Sequence, residues 1–329
     1  MSSSQKPAEI AQKINYRLER LIPVTTPLGV IVGFLLPLVF MPLRPFVPYL
    51  FGIITFAGAL KLRAKELGAT VRKPMPILLF FVTSHVLMPL LALFSSSLFF
   101  PDTDIITGFV LLFAGPTAVS GFIWVMIFRG NKAFGLSFIL LDTLLAPVIV
   151  PYTLFFLMKE SISMDGSGIA VSLCMMVVIP TIIGVAINET SRGKIPSVIC
   201  PYLDPVSKIA LFTVIAANAS PLAGVIRLND PLVWKTAGLC IALTITGFIL
   251  AKIASVVFKF DKDRSISMII AGGLRNNSAV MTIAVTFFPQ AAALPTLLSV
   301  IFQQSIAALM GKLLIKKENP DQRIKNSKT

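Results

Sequence analysis

Apolar runs long enough to cross a bilayer, joined by short polar loops, recur along the chain. They cover residues 21–43, 46–62, 75–94, 105–128 and 133–158, then 169–187, 206–226, 233–258, 265–288 and 295–314. A bilayer's hydrocarbon core takes about 20 apolar residues of helix, so the pattern predicts an all-α polytopic membrane protein with ten transmembrane helices. Residues 1–20 read as a polar arm and residues 315–329 as a charged tail, leaving a single membrane domain over 21–314. A polar loop with Asp165, Gly166 and Gly168 divides that domain into halves, 21–158 and 169–314. Five spans per half turn the second half upside down relative to the first, so the expected repeat is an inverted one.

Two of the runs are interrupted. Gly115-Pro116-Thr117-Ala118-Val119-Ser120-Gly121 breaks the fourth, and Ala271-Gly272-Gly273-Leu274-Arg275-Asn276-Asn277-Ser278 breaks the ninth. Each is the fourth span of its half. Backbone that leaves the helix at membrane depth survives only inside protein or beside a wet cavity. An arginine there costs at least about 2.5–3.5 kcal/mol. Breaks at matching places in the two halves point to the binding site of a secondary transporter. The plainer reading is a pair of kinked helices with Arg275 held by a neighbour.

Composition fits this picture. Of 329 residues, 55% are hydrophobic and 13% charged, against about 25% charged in soluble domains; mean hydropathy is +0.85. The net charge of +14 does not call for nucleic acid, because the basic residues sit in short loops. The arm, the basic connector over 61–74, Arg129 and Lys132, Arg192 and Lys194, Lys259, Lys262 and Arg264, and the tail share one side. The other side carries Arg44, Lys159, Arg227 and Lys235. That asymmetry predicts a multi-pass protein of the cell membrane with both termini in the cytoplasm. The arm lacks the apolar core of a cleaved signal peptide. Cys174, Cys200 and Cys240 lie far apart and suggest neither a disulfide framework nor a metal site. No nucleophile–base pair, metal cluster or phosphate loop is legible, so neither an enzyme nor a cofactor is expected.

Several local patterns carry a resemblance. Val86-Leu87-Met88-Pro89-Leu90, Gly115-Pro116-Thr117-Ala118, Arg129-Gly130-Asn131, Leu144-Leu145-Ala146-Pro147, Gly273-Leu274-Arg275-Asn276 and Leu298-Ser299-Val300 resemble motifs of the bile acid:sodium symporter family, over residues 21–314. The chain looks like a divergent, bacterial-type member. The resemblance implies a panel domain of spans one, two, six and seven. It implies a core domain of spans three to five and eight to ten, in which broken spans four and nine cross.

The chain departs from the family where sodium is bound. Sodium-coupled members have a glutamate and a glutamine where this chain has Ala271 and Arg275. Hydroxyl ligands are replaced by Gly135 and Ile139, the serine–asparagine pair of span four falls near Val119-Ser120-Gly121-Phe122, and the span-three glutamine falls on Ser84 or His85. Sodium coupling is therefore expected to be altered or absent, with a proton as the other coupling ion in view. Gly135, Ile139 and Asp142 stand at i, i+4 and i+7, on one helical face. That face looks onto the crossover in the family, making Asp142 a candidate partner for Arg275, either as a static pair or as a working one. His85, the lone histidine, reads as a satisfied core residue or a proton relay.

The function expected is secondary transport of a small or amphipathic organic anion by alternating access, by a monomer or weak oligomer. Thr117, Ser120, Asn276 and Asn277, with Ser84, His85, Asp142 and Arg275, form the candidate binding set, and Gln303 and Gln304 are its weaker candidates. The alternative is a membrane receptor or sensor that keeps the transporter fold and does not transport.

Overall fold

The computed structural model describes residues 24–63, 74–158, 165–224, 226–227 and 229–315. The polar arm, most of the basic connector, Lys159 and the charged tail lie outside the described residues. So do the two termini.

The described chain is helical, apart from one isolated bridge between Thr117 and Arg275. We number the helices α1 Val24–Leu35, α2 Val47–Ala59, α3 Pro74–Phe99, α4 Thr103–Ala114, α5 Gly121–Ile127 and α6 Lys132–Met158. After them come α7 Gly166–Thr190, α8 Lys194–Leu222, α9 Pro231–Val257, α10 Lys262–Gly273, α11 Asn277–Phe287 and α12 Gln290–Leu314. Seven helical stretches are long and apolar enough to cross a membrane: 37–59, α3, α6, α7, α8, α9 and α12. Helices α1, α4 and α11 are apolar but shorter. These features make the chain a multi-pass membrane protein.

Helix starts follow local chemistry. Asp102, Asp165 and Asp230 each accept a hydrogen bond from a backbone N–H two or three residues on, from Asp104, Gly168 and Leu232. An N-cap carboxylate of this kind satisfies donors that the first helical turn leaves free. Boundaries differ from the sequence reading mainly where proline is tolerated. Between the first two runs the chain passes through a 3-10 turn, Met41–Phe46, after the short helix Pro37–Phe40. Helix α8 starts at Lys194 and runs through Pro201 and Pro205, well before the expected start at 206. Helix α12 starts at Gln290 and carries Pro295 inside it.

Two packing neighbourhoods emerge. Helices α2, α7 and α8 pack on one another, while α3, α4, α6, α9, α10 and α12 pack mostly among themselves. They meet where α7 lies against α6 and where α11 touches α2, α7 and α8. A buried cluster spans that boundary, with Val47, Phe51 and Ile215 on one side and Leu111, Val280 and Ile283 on the other. Two polar contacts cross it: Asn218 Nδ2 donates to Thr282 Oγ1 at 2.8 Å, and Arg44 Nη2 donates to the Val285 carbonyl at 2.9 Å.

Both interrupted runs are two helices joined by non-helical backbone, α4 to α5 and α10 to α11. The α4–α12 contact that positions the first break is close enough to exclude a side chain at Gly108. A Cβ there would meet the Ala292 carbonyl oxygen at 2.2 Å and the Pro295 ring at 3.0 Å. At Gly238 on α9, by contrast, a Cβ would meet nothing within 4 Å. Thermal unfolding in detergent separates the two. Gly108→Ala should destabilise by about 1–3 kcal/mol, as overpacking does, while Gly238→Ala should be neutral or gain a few tenths. Equal melting temperatures for the two variants would contradict the α4–α12 contact.

Candidate functional site

The non-helical segments after α4 and α10 pair as a short antiparallel ladder. Thr117 and Arg275 form its bridge, Asn276 N–H donates to the Pro116 carbonyl at 2.7 Å, and Ala118 N–H donates to Leu274 O at 3.4 Å. Helix ends leave carbonyls and N–H groups without partners, and lipid offers none. Each broken span here supplies what the other lacks. The Thr117 hydroxyl lies 2.7 Å from Ala271 O and 2.9 Å from Leu274 O, so its one proton serves the open end of α10. Gln303, from α12, clamps the backbone of Arg275 from both sides: its Oε1 accepts from Arg275 N–H at 3.0 Å and its Nε2 donates to Arg275 O at 2.9 Å. Asn276 caps α11, its Oδ1 accepting from Ala279 N–H, and Asn277 Nδ2 donates to Ser299 Oγ at 2.8 Å.

The side chains of the site come from three further helices, and α3 contributes most through a local distortion. Residues Val82–Leu87 form a π turn, in which Met88 N–H reaches back five residues to Thr83 O. The next donor in that register belongs to Pro89, which has no N–H. The Ser84 carbonyl is therefore left without a helical partner, and Arg275 Nη2 donates to it at 3.1 Å. The Met-Pro pair thus creates the acceptor that receives the buried guanidinium. π turns of this type recur at functional sites. A similar turn, Cys174–Val178, precedes Pro180 in α7.

The π turn also carries His85 toward α6. Its Nε2 lies 2.7 Å from Asp142 Oδ1, with both side chains buried, although the two are not aligned as a hydrogen bond. Phe80 stacks on Phe138, with ring centroids 4.6 Å apart, and fixes α3 against α6 one turn before Asp142. The other oxygen, Asp142 Oδ2, accepts from Thr117 N–H at 2.7 Å. Asp142 thus joins His85 to the crossing.

The expected contact between Asp142 and Arg275 is not formed. The carboxylate is engaged by His85 and the Thr117 backbone, and the guanidinium by the Ser84 carbonyl. Helical spacing put Asp142 on the right face but could not rank its partners across the gap. The π turn decides that ranking by presenting an imidazole to one charge and a free carbonyl to the other.

The remaining candidates separate by exposure. Thr117, Asn277 and Gln303 are buried and engaged in holding the crossing. Ser120, at the start of α5, is exposed, and its side chain makes no cap bond. Asn276 is half-buried. Gln304 accepts from Trp124 Nε1 at 2.9 Å, tying α12 to α5. Gln303 and the Ser84 backbone carry more of the architecture than sequence reasoning assigned them. The usable signal was Pro89, whose missing N–H frees a carbonyl one turn away.

The residues that fall at the sodium positions implied by the resemblance offer few free oxygens. Ala271 offers its carbonyl, which already accepts from Thr117. At Gly135 a Cβ would meet the Val125 side chain at 3.1 Å, and Ile139 is buried in apolar contact. Arg275 brings a cation into the same space. Among the described residues, no group of three His, Cys, Asp or Glu side chains could hold a metal ion.

Two broken helices pair through their non-helical segments inside an apolar all-helical chain, and the comparisons show the family to which such a chain belongs. The profile of the Sodium Bile acid symporter family matches residues 47–227. A Bacillus subtilis (strain 168) protein, YbaS, is 36% identical over 297 residues, covering 89% of this chain and 96% of its own length. From the same organism, YocS, whose name describes a sodium-dependent transporter, is 22% identical over 94% of this chain and 95% of its own. An Arabidopsis thaliana chloroplast protein, BASS1, named as a probable sodium/metabolite cotransporter, is 23% identical over 81% of this chain and 66% of its own. This chain belongs to the bile acid:sodium symporter family, a family of transporters rather than enzymes. Nothing in these comparisons supports the receptor alternative.

The clamp on Arg275 gives a test of the site as built. Gln303→Leu leaves the Arg275 N–H buried without a partner, at about 1–3 kcal/mol, while the Arg275 carbonyl keeps only its bond from Asn277 N–H. Gln304→Leu removes a half-buried bond to Trp124 and should cost less. The order of thermal stabilities should be wild type, then Gln304→Leu, then Gln303→Leu; the reverse order for the two variants would refute the clamp.

Proposed function

We propose that the chain is a secondary transporter of small or amphipathic organic anions that works by alternating access and without the family's usual sodium coupling. The observation that carries this reading is the buried Arg275 guanidinium at the crossing, in the place where sodium-coupled relatives gather ligands for a cation. A fixed positive charge there supplies what a bound cation supplies elsewhere. It favours an anion nearby and compensates the carbonyl ends of α4 and α10 that converge on the crossing. The N-terminus of α11 adds a positive dipole end, with Asn276 half-buried beside it, and Ser120 is exposed at the start of α5. Broken helices of this kind bind the anionic groups of substrates in other transporters.

The rest of the reading follows the family architecture. Helices α1, α2, α7 and α8 serve as the panel, and α3 to α6 with α9 to α12 serve as the core. Ten spans form two inverted repeats in the cell membrane, with both termini cytoplasmic, and a monomer or weak oligomer suffices. Rocking of core against panel exposes the crossing to each side in turn, and the Asn218–Thr282 and Arg44–Val285 contacts lie on the surface that would slide.

Uptake into proteoliposomes tests the proposal with two probes, taurocholate as an amphipathic anion and pyruvate as a small one. Saturable uptake of at least one probe is expected at the same rate with K⁺ as with Na⁺, and Arg275→Gln should reduce it at least tenfold. Failure of both probes, or uptake only with Na⁺, would contradict the proposal.

A further inference from the structure

We propose that His85 is a proton-binding site that couples the movement of the anion to protons, one proton for each negative charge carried. The inference rests on the transport reading above and adds the coupling ion. Its first support is the charge balance of the buried cluster. Asp142 and Arg275 together are neutral, and His85 is the remaining titratable group in contact with them through Asp142. An anion entering the crossing makes the cluster negative; a proton taken up on the His85 imidazole restores neutrality. At low dielectric an uncompensated charge is expensive. Anion and proton therefore strengthen each other's binding, and by the same factor in both directions. In the chemical step imidazole and a solvent proton give imidazolium, with no other bond made or broken.

The second support is geometric. Nε2 faces Asp142 Oδ1 at 2.7 Å, so the proton of the neutral ring sits there and the imidazolium formed by a second proton stands directly against a carboxylate. Nδ1 is buried without a hydrogen-bond partner, so its lone pair is the position open to an added proton. The ring also stacks on Phe81, with centroids 5.4 Å apart and planes at 28°, an aromatic face that favours a cation.

The surroundings hold few competitors. Asp142 faces His85 from α6, and Arg275 reaches the neighbouring Ser84 carbonyl from the crossing. Of the other helices packed on the π turn, α4 carries Asp104 in its first turn. Helix α9 carries Lys235, which donates to the Phe99 carbonyl, Cys240, whose thiol contacts the Pro295 carbonyl, and the half-buried Lys252. None of these touches the imidazole.

The third support is the connection to the moving part. Asp142 holds the Thr117 N–H with its other oxygen, and the Thr117 hydroxyl holds the end of α10. Charging His85 draws on the same carboxylate that steadies the crossing, so proton occupancy is felt where the two broken helices meet.

Because the chain has a single histidine, ring-labelled histidine in the full-length protein, reconstituted in liposomes, gives one imidazole to follow by solid-state NMR. The wild-type ring should convert to imidazolium on acidification, and Asp142→Asn should lose that conversion; a wild-type ring that stays neutral overturns the proposal. In the same vesicles an inward proton gradient should concentrate taurocholate or pyruvate roughly tenfold per pH unit, as one proton per monoanion requires. A protonophore should abolish this accumulation, and so should His85→Gln. Uptake that ignores the gradient would overturn proton coupling and leave the transport reading standing. Conversion to imidazolium without uptake of either probe would sustain the proton site and count against transport.

Discussion

Backbone that has left the helix must find its hydrogen bonds inside the protein, and this constraint organises the molecule. Two apolar runs stop at Ala114 and Gly273 and resume at Gly121 and Asn277. Between those points the chain pairs with itself across the crossing, through Pro116, Thr117 and Ala118 on one side and Leu274, Arg275 and Asn276 on the other. What the ladder leaves open, side chains close: Thr117 for the end of α10, Gln303 for both backbone groups of Arg275, Asn276 for the start of α11. The polar residues in the middle of this apolar chain are first of all the partners of interrupted backbone. Their chemistry toward a ligand is built on that role.

Charge is placed by the same logic. A guanidinium at this depth needs acceptors, and the π turn of α3 provides one because Pro89 cannot donate to the Ser84 carbonyl. A carboxylate needs donors or a cation, and Asp142 finds the Thr117 N–H and His85. Removing one partner of such a buried arrangement leaves the other uncompensated, typically at about 3–5 kcal/mol. The cluster is therefore rigid in outline while still holding unfilled capacity, in Arg275 Nη1, the Ser84 hydroxyl and His85 Nδ1.

Much of this was legible in the sequence. The apolar runs and their loops follow from the bilayer's thickness, and the glycine clusters at 115–121 and 272–278 mark where the helices stop. Asp102, Asp165 and Asp230 announce helix starts by ordinary capping. What could not be read were contacts set by three-dimensional approach. Periodicity placed Asp142 on the inward face of α6, but its choice of His85 over Arg275 depends on a π turn that no helical wheel contains. Gln303 and Gln304 look equivalent in sequence, yet one clamps Arg275 and the other holds Trp124. The starts of α8 and α12 lie before the apolar runs at 206 and 295, because each helix continues through prolines, at 201 and 205 in α8 and at 295 in α12.

The central claim is that a fixed guanidinium stands where the family resemblance implies a bound cation, and sodium binding tests it most directly. Ligands that bind the folded state raise its melting temperature by mass action. Wild-type protein should melt at the same temperature in NaCl as in KCl across the full concentration series. The double variant Ala271→Glu with Arg275→Gln restores the carboxylate and amide of the sodium-coupled pattern and should gain a saturable rise specific to Na⁺. A saturable, Na⁺-specific stabilisation of the wild type would contradict the account.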